Sequence, residues 1–290
     1  MERKDINLSQ AVTTDGQKPL SWAAANGNER LVKIFLERED VNPDQRDAED
    51  GQTPLSWAAN RGHEEIVKML LERKDVNPDQ AITKDGQTPL SWAVEHGHEG
   101  IVEILLERGD ANPDQRDTKD GRTPLMLTAE REHEGIIKML LEREDANPNQ
   151  ALTADGQTPL SWAVANGHLE ILKLLLERED IDPNQADLES GRTPLFQAAA
   201  SGHEGVVQML LERKEINPNQ ADFECGWTPL VVAVMSGYEG VVRILLERKD
   251  VDLNQEFTAD IGYDQTPLLC AAENGYEAIV KMLLERIDTA

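Results

Sequence analysis

The chain has 290 residues, 39% of them apolar, and carries a formal charge of −26 from 29 basic and 55 acidic side chains. A surface of that sign repels nucleic-acid phosphates and anionic membranes alike, so neither is an expected partner, whereas a basic protein would be steered toward it. No stretch approaches the roughly 18 consecutive apolar residues of a membrane-spanning helix, and two cysteines, Cys225 and Cys270, are too few for a disulfide framework.

The start, Met1-Glu2-Arg3-Lys4-Asp5, has no signal-like apolar run. With the low cysteine count it predicts an intracellular setting, the cytoplasm first and the nucleus second. Along the chain a Thr-Pro-Leu step then recurs, its prolines at Pro54, Pro89, Pro124, Pro159, Pro194 and Pro229 spaced by 35 residues. Pro19 extends the series backwards and Pro267 forwards, after a 38-residue step. Units therefore begin near 16, 51, 86, 121, 156, 191, 226 and 262, and residues 1–15 read as the remnant of a preceding unit. Self-similar units of this size cannot each bury a private core, so the spacing predicts one all-α repeat solenoid, a single domain over 1–290 with about eight stacked repeats.

One unit, Gly51 to Gln80, gives the local order. Thr53 is placed as an N-cap, and Pro54 suits the first helical position, where its missing N–H costs nothing. A short helix through Leu55, Trp57, Ala58 and Ala59 follows, the alanines allowing close helix approach, and Gly62 is expected to stop it with positive φ. His63 and Glu64 start a second helix with Ile66, Val67, Leu70 and Leu71 on one face, and Glu72 and Arg73 are expected at its exposed end. Asp75-Val76-Asn77-Pro78-Asp79 then enforces extended or turning backbone, a finger leading to the next unit.

This order resembles the ankyrin repeat in the segments Gly51-Gln52-Thr53-Pro54-Leu55, Ala58-Ala59, Gly62-His63, Ile66-Val67, Leu70-Leu71 and Val76-Asn77, and the same skeleton covers essentially the whole chain. The resemblance implies antiparallel helix pairs, β-hairpin fingers at right angles to them, and a concave face built by fingers and first helices. Two departures stand out. The period is 35 rather than about 33. The family's His after Thr-Pro-Leu is replaced by Ser21, Ser56, Ser91 and Ser161, or by Met126, Phe196, Val231 and Leu269, so its hydrogen bond must be remade or lost. The Ser-Trp-Ala and Asn-Pro-Asp/Asn-Gln pattern is similar to fungal arrays found in C-terminal parts of NOD-like-receptor-type proteins.

A longer period of about 70 residues overlies the first. Gln10-Ala11-Val12-Thr13, Gln80-Ala81-Ile82-Thr83 and Gln150-Ala151-Leu152-Thr153 alternate with Gln45-Arg46-Asp47 and Gln115-Arg116-Asp117, as duplication of a two-repeat block would produce. The last repeat carries an insertion around Ile261-Gly262-Tyr263, and Leu253 replaces its finger proline. The last helix keeps the interior apolar pattern, although terminal repeats ordinarily carry a polar outer face. Both ends thus read as cuts within a longer protein.

For chemistry, the pattern offers little. His63, His98, His133, His168 and His203 share one repeat position on different layers and cannot converge, so they are expected to be structural. Trp22, Trp57, Trp92 and Trp162 exchange with Leu127, Gln197, Val232 and Cys270, which argues for packing between first helices. Acidic pairs such as Glu39-Asp40 and Glu49-Asp50 read as solvated surface. Phosphate loops, nucleophile elbows and metal-ligand spacings are missing from the sequence, so no catalytic residue, metal or cofactor is expected. The expected function is recognition of a protein partner by a monomeric module, through a groove about 70–80 Å long on helix-packing distances. The variable residues assigned to that groove are Gln52, Arg61, Gln87, Glu95, His96, Arg122, Glu130, Arg131, Gln157, Asn166, Arg192, Phe196, Ser201, Trp227, Val231, Met235 and Ser236. Specificity is placed near Arg192, Phe196, Trp227, Val231 and Met235, where the repeats diverge most, with Trp227 as an exposed hot-spot candidate. A module of a larger sensor protein leads; a free-standing scaffold or stoichiometric inhibitor is the alternative, and an enzyme or a designed binder trails.

Overall fold

The computed structural model describes residues 13, 16–48, 51–80, 86–151, 156–255, 257–258 and 264–289. The remnant before Thr13, Glu49-Asp50, the finger segments 81–85 and 152–155, and the Ile261-Gly262-Tyr263 insertion lie outside them. The chain divides into two compact units, Met1–Asn147 and Pro148–Ala290. The first holds α1 (Pro19–Ala25), α2 (Glu29–Leu36), α3 (Pro54–Arg61), α4 (Glu64–Leu71), α5 (Pro89–Glu95), α6 (Glu99–Glu107), α7 (Pro124–Arg131) and α8 (Glu134–Leu141). The second holds α9 (Pro159–Ala165), α10 (Leu169–Leu176), α11 (Pro194–Ala200), α12 (Glu204–Leu211), α13 (Pro229–Met235), α14 (Glu239–Glu247), α15 (Pro267–Glu273) and α16 (Glu277–Asp288), with two-residue strands β1 (Phe257–Thr258) and β2 (Asp264–Gln265).

Each helix pair begins as its sequence dictates. Thr53 Oγ1 accepts from the Ser56 N–H at 3.3 Å while Ser56 Oγ accepts from the Thr53 N–H at 3.0 Å, a reciprocal cap repeated by Thr88 with Ser91 and Thr158 with Ser161. Ser56, Ser91 and Ser161 thus gain a hydrogen bond with the capping threonine, whereas Ser21 follows Lys18 in place of that threonine and its buried Oγ has no partner. Where Met126, Phe196, Val231 or Leu269 stands instead, only the threonine's half of the cap survives. Gly62 closes α3 at φ +79°, the conformation its lack of a Cβ permits. In the first unit Glu132 holds the corresponding position after α7 at φ 59°, the one described residue other than glycine with positive φ.

Within each unit first helices pack on first helices and second on second. α1, α3, α5 and α7 form one layer and α2, α4, α6 and α8 the other; α9, α11, α13 and α15 lie against α10, α12, α14 and α16 in the same way. Ala58, Ala93, Ala163 and Ala198 are fully buried and let the first helices close up. The core side chains include Leu55, Ile66, Leu70, Ile101 and Leu105, all within 1% of full burial. Each contributes about 1.5–3 kcal/mol.

Polar locks register one repeat on the next. Arg73 Nη1 donates to the Leu36 carbonyl at 3.2 Å, and Arg108, Arg213 and Arg248 do the same to Leu71, Leu176 and Leu211. These guanidiniums cap the preceding helix C-terminus, where a cation is favoured. Arg73 is thus not simply solvated at an exposed end: it clamps the neighbouring repeat and pairs with Asp75 at 2.6 Å. The His63, His98 and His203 rings approach the Ala25, Asn60 and Ala165 carbonyls of the preceding repeat at 3.2 Å. They also lie over its helix-ending glycine: a Cβ on Gly27 would come within 2.8 Å of His63.

The fingers correct one expectation. Among the described residues only β1 and β2 pair as strands, Phe257 opposite Gln265 and Thr258 opposite Asp264. Elsewhere a finger base is closed by a backbone bond, Asp47 N–H to Gln52 carbonyl at 2.9 Å, or Asp117 to Arg122, Asp187 to Arg192 and Asp222 to Trp227, with a second bond from the Gly191 N–H to the Asp187 carbonyl at 3.2 Å. The aspartate side chain does the rest: Asp117 Oδ1 accepts from the Asp120 and Gly121 amides, so a turn replaces a ladder.

Candidate partner-binding surface

In the first unit the assigned residues form two linked ion-pair groups along the first helices and finger bases. Gln87 Nε2 donates to Glu95 Oε2 at 3.1 Å, and Glu95 in turn pairs with Arg131 at 3.0 Å from the next repeat. Arg122 is shared by Asp117 (3.3 Å), Asp120 (2.9 Å) and Glu130 (3.1 Å). Burial works against the Arg122 charge, but the three carboxylates outweigh it and hold its pKa above the ordinary value. Arg61 lies over the Trp57 ring at 5.8 Å, while the exposed His96 stacks on Trp92 at 5.7 Å. Gln52 is only 7% exposed and is not available to a partner.

The second unit gathers four assigned residues at one place. Gln157, Arg192, Phe196 and Ser201 line a cleft of about 460 Å³ between the finger bases and the first helices α9 and α11. The sequence reading missed Asp187, Glu189, Ser190, Gln197 and Glu224, which with Ala165 and Ala200 complete its wall. A signal for them existed: the finger aspartates share one repeat position, but the fold is needed to bring Glu224 to Arg192, 32 residues away, at 3.2 Å. Arg192 also sits 5.4 Å above the Phe196 ring and 3.9 Å from Asp222. Asp187 accepts from Ser190 Oγ and from the amides of Glu189, Ser190 and Arg192. Burial opposes its charge, yet these donors prevail and its pKa falls below the usual carboxylate value.

Two expectations need correction here. Val231 is fully buried and belongs to the helix-packing core, and Phe196, 2% exposed, forms only the buried floor of the cleft beneath Arg192. Trp227 is half-buried rather than exposed, its backbone tied to Asp222 in both directions. Met235 is half-buried, with Cys270 Sγ at 2.8 Å from its sulfur, while Asn166 and Ser236 are exposed. Among the described residues the fingertips carry the most exposed apolar side chains of this unit, Leu188 at 72% and Phe223 at 71%, which the sequence reading does not single out. Trp22 is 39% exposed, and Trp57 donates to Asp47 at 2.7 Å, so these tryptophans partly edge the surface instead of filling the space between helices.

Among the described residues no group of three or more His, Cys, Asp or Glu side chains could hold a metal ion, and no helix is long and apolar enough to cross a membrane. Cys225 and Cys270 form no disulfide.

Comparison with known proteins agrees with this geometry. The model for ankyrin repeats (three copies) matches residues 2–80, 20–117, 109–187, 145–222, 181–257 and 217–290. The crystal structure of the ankyrin repeat domain of Bcl-3, described as a unique member of the IκB protein family, superposes with a TM-score of 0.70 at 26% identity. That match covers 79% of this chain and 98% of the Bcl-3 chain. No curated protein matches the chain in sequence. Helix pairs, caps and repeat register, together with the match over nearly every residue, show that the chain belongs to the ankyrin-repeat family.

Proposed function

We propose that this chain recognises a protein partner through the finger-and-first-helix surface of its second unit, without catalysis. Ankyrin repeats are protein–protein interaction modules, and the observation that carries the localisation is the cleft of about 460 Å³ around Arg192. The Arg192–Glu224 pair there can be exchanged for pairing with a ligand, and the exposed Leu188 and Phe223 beside it provide apolar anchorage. Gln157 and Ser201 line the same cleft, and Asn166, Trp227, Met235 and Ser236 are assigned with them to the partner-binding surface. The −26 charge favours a basic partner over nucleic acid or an anionic membrane. An intracellular setting fits two cysteines outside any disulfide.

Within this reading the chain serves as the recognition part of a larger signalling or sensor protein of the fungal type its repeats resemble. A free-standing scaffold or stoichiometric inhibitor is the second reading, favoured by the likeness to the ankyrin domain of an IκB-family member. Affinity capture from the source organism, at low and high salt, tests the localisation. Partner retention should fall with Arg192→Glu and with Phe223→Ala but survive Arg131→Ala in the first unit. Capture indifferent to Arg192→Glu and Phe223→Ala, as well as to Trp227→Ala with Met235→Ala, would place recognition elsewhere.

A further inference from the structure

We propose that the cleft around Arg192 takes a lysine or arginine side chain of the partner, held by Glu189, Glu224 and the amide oxygen of Gln197. The inference rests on the localisation to the second unit and adds the chemistry of what enters there. The charged residues lining the cleft are Asp187, Glu189 and Glu224 against Arg192 alone. Arg192 is already committed to the Phe196 ring and to one oxygen of Glu224. Asp187 spends both oxygens on Ser190 and on the finger amides. Glu189 is exposed and pairs with no cation among the described residues, so the charge left over in the cleft is negative.

A second observation is independent of charge. Gln197 Oε1, in the wall of the cleft, is shut off from water and accepts no hydrogen bond. A buried acceptor without a donor is costly, and an N–H brought by a ligand removes that cost. An ammonium or guanidinium carries several such donors, whereas a carboxylate has none and would face Glu189 and Glu224.

The first unit shows how the same place is filled by the chain itself. Two repeats before Arg192, Arg122 is pinned by Asp117, Asp120 and Glu130 of its own repeat. The counterparts of Asp120 and Glu130 beside Arg192 are Ser190 and Ala200, short side chains that leave the space open. Lys119 and Leu127 give way to Glu189 and Gln197 in the same repeat. Negative charge thus leaves the helix position of Glu130 and reappears on two successive fingers, at Glu189 and Glu224. Arg192 positions Glu224 and does not meet the incoming cation; Arg192→Glu would drive Glu224 away, which accounts for the loss expected of it above.

Titration of the full chain with a blocked pentapeptide, a central arginine between leucines, tests this against its lysine, citrulline and glutamate versions. The side-chain N–H resonances of Arg192 and Gln197 report binding. The arginine and lysine peptides should shift them saturably, more weakly as salt rises, and the tighter of the two names the side chain. Citrulline keeps the shape without the charge and should bind about tenfold more weakly, while the glutamate peptide should shift nothing. Glu189→Lys, Gln197→Leu and Ala200→Glu each install the residue that the first unit holds at Lys119, Leu127 and Glu130, so circular dichroism should match the parent. Ala200→Glu should close the cleft and weaken the arginine peptide about tenfold, and the other two should weaken it as well. No shift with arginine or lysine, a citrulline peptide that binds equally well, or binding unchanged by Ala200→Glu overturns the inference. Partner capture that falls with Arg192→Glu and Phe223→Ala but not with Ala200→Glu or Glu189→Lys also overturns it, and leaves the localisation standing. Capture indifferent to Arg192→Glu and Phe223→Ala removes the localisation, and this inference with it.

Discussion

The two units build the same step of the fold with different chemistry. After the finger proline the first unit has Asp44, Asp79 and Asp114, and the second has Asn149, Asn184 and Asn219. Both kinds accept a hydrogen bond from the backbone of the next repeat: Asn77 N–H to Asp44 at 2.8 Å and Asn112 N–H to Asp79 at 2.9 Å, against Asp182 N–H to Asn149 at 2.8 Å and Asn217 N–H to Asn184 at 2.9 Å. Only the asparagines can also donate. Asn149, Asn184 and Asn219 give their amide hydrogens to the Asp180, Glu215 and Asp250 carbonyls at 2.6–2.8 Å. In the first unit the second oxygen of Asp44 is buried without a hydrogen-bond partner. One rail is thus fully satisfied and the other carries a half-buried charge, which costs free energy.

Acid should separate the units for the same reason. Burial raises the pKa of Asp44 and Asp79 despite the amides that bond them. A folded pKa above the unfolded one means the fold binds that proton more tightly, so the ionised rail is destabilising at neutral pH and acidification relieves it. Asp180 and Asp250 behave oppositely: hydrogen bonds from Arg178 and Arg248 lower their pKa, so their contribution is present above the unfolded value and is lost as pH falls through the folded one. The first unit has carboxylates of both kinds, while among the described residues of the second those with a shifted pKa are all lowered. Hydrogen exchange followed from neutral to acidic pH should therefore show the second unit losing protection ahead of the first.

The comparison can be broken at several scales. Leu105→Ala and Leu210→Ala remove fully buried side chains, one in each unit. Each should cost about 2–5 kcal/mol in denaturant unfolding; a large difference between them would mean that the cores differ too, and not only the rails. Gly202→Ala forces a Cβ onto a residue at φ +72°, 3.0 Å from the Tyr238 ring, and should lower stability by about 1–3 kcal/mol. In the first unit Glu132→Gly should do the reverse, stabilising by about 1 kcal/mol, because the side chain there is held at φ 59°. Asp79→Asn should stabilise by about 0.5–1.5 kcal/mol at neutral pH by importing the second unit's extra donor, and Asn184→Asp should cost a similar amount. The Asp79→Asn gain should shrink on acidification. Smallest of all, Asp180→Asn at an exposed pair should change stability by no more than about 0.5 kcal/mol, and that only at low salt.

Much of this molecule is local in origin and therefore legible in its sequence. Threonine caps, proline at the first helical position, glycine with positive φ and the apolar stripe of each second helix act within a few residues, so reading Thr53, Pro54, Gly62 and Ile66 was enough to place α3 and α4. Repetition then implied stacking, because no single pair can bury its own face. What the sequence could not disclose depends on partners about 30 to 40 residues away. Arg73 looked like a solvated end until it met Leu36, and Phe196 and Val231 looked like variable surface until neighbouring helices closed over them. The Arg192 cleft likewise exists only because Glu224 and Phe196 converge on one guanidinium. Backbone conformation is set by each residue and its immediate neighbours, whereas exposure and charge pairing are set by whatever the stacked repeats bring alongside.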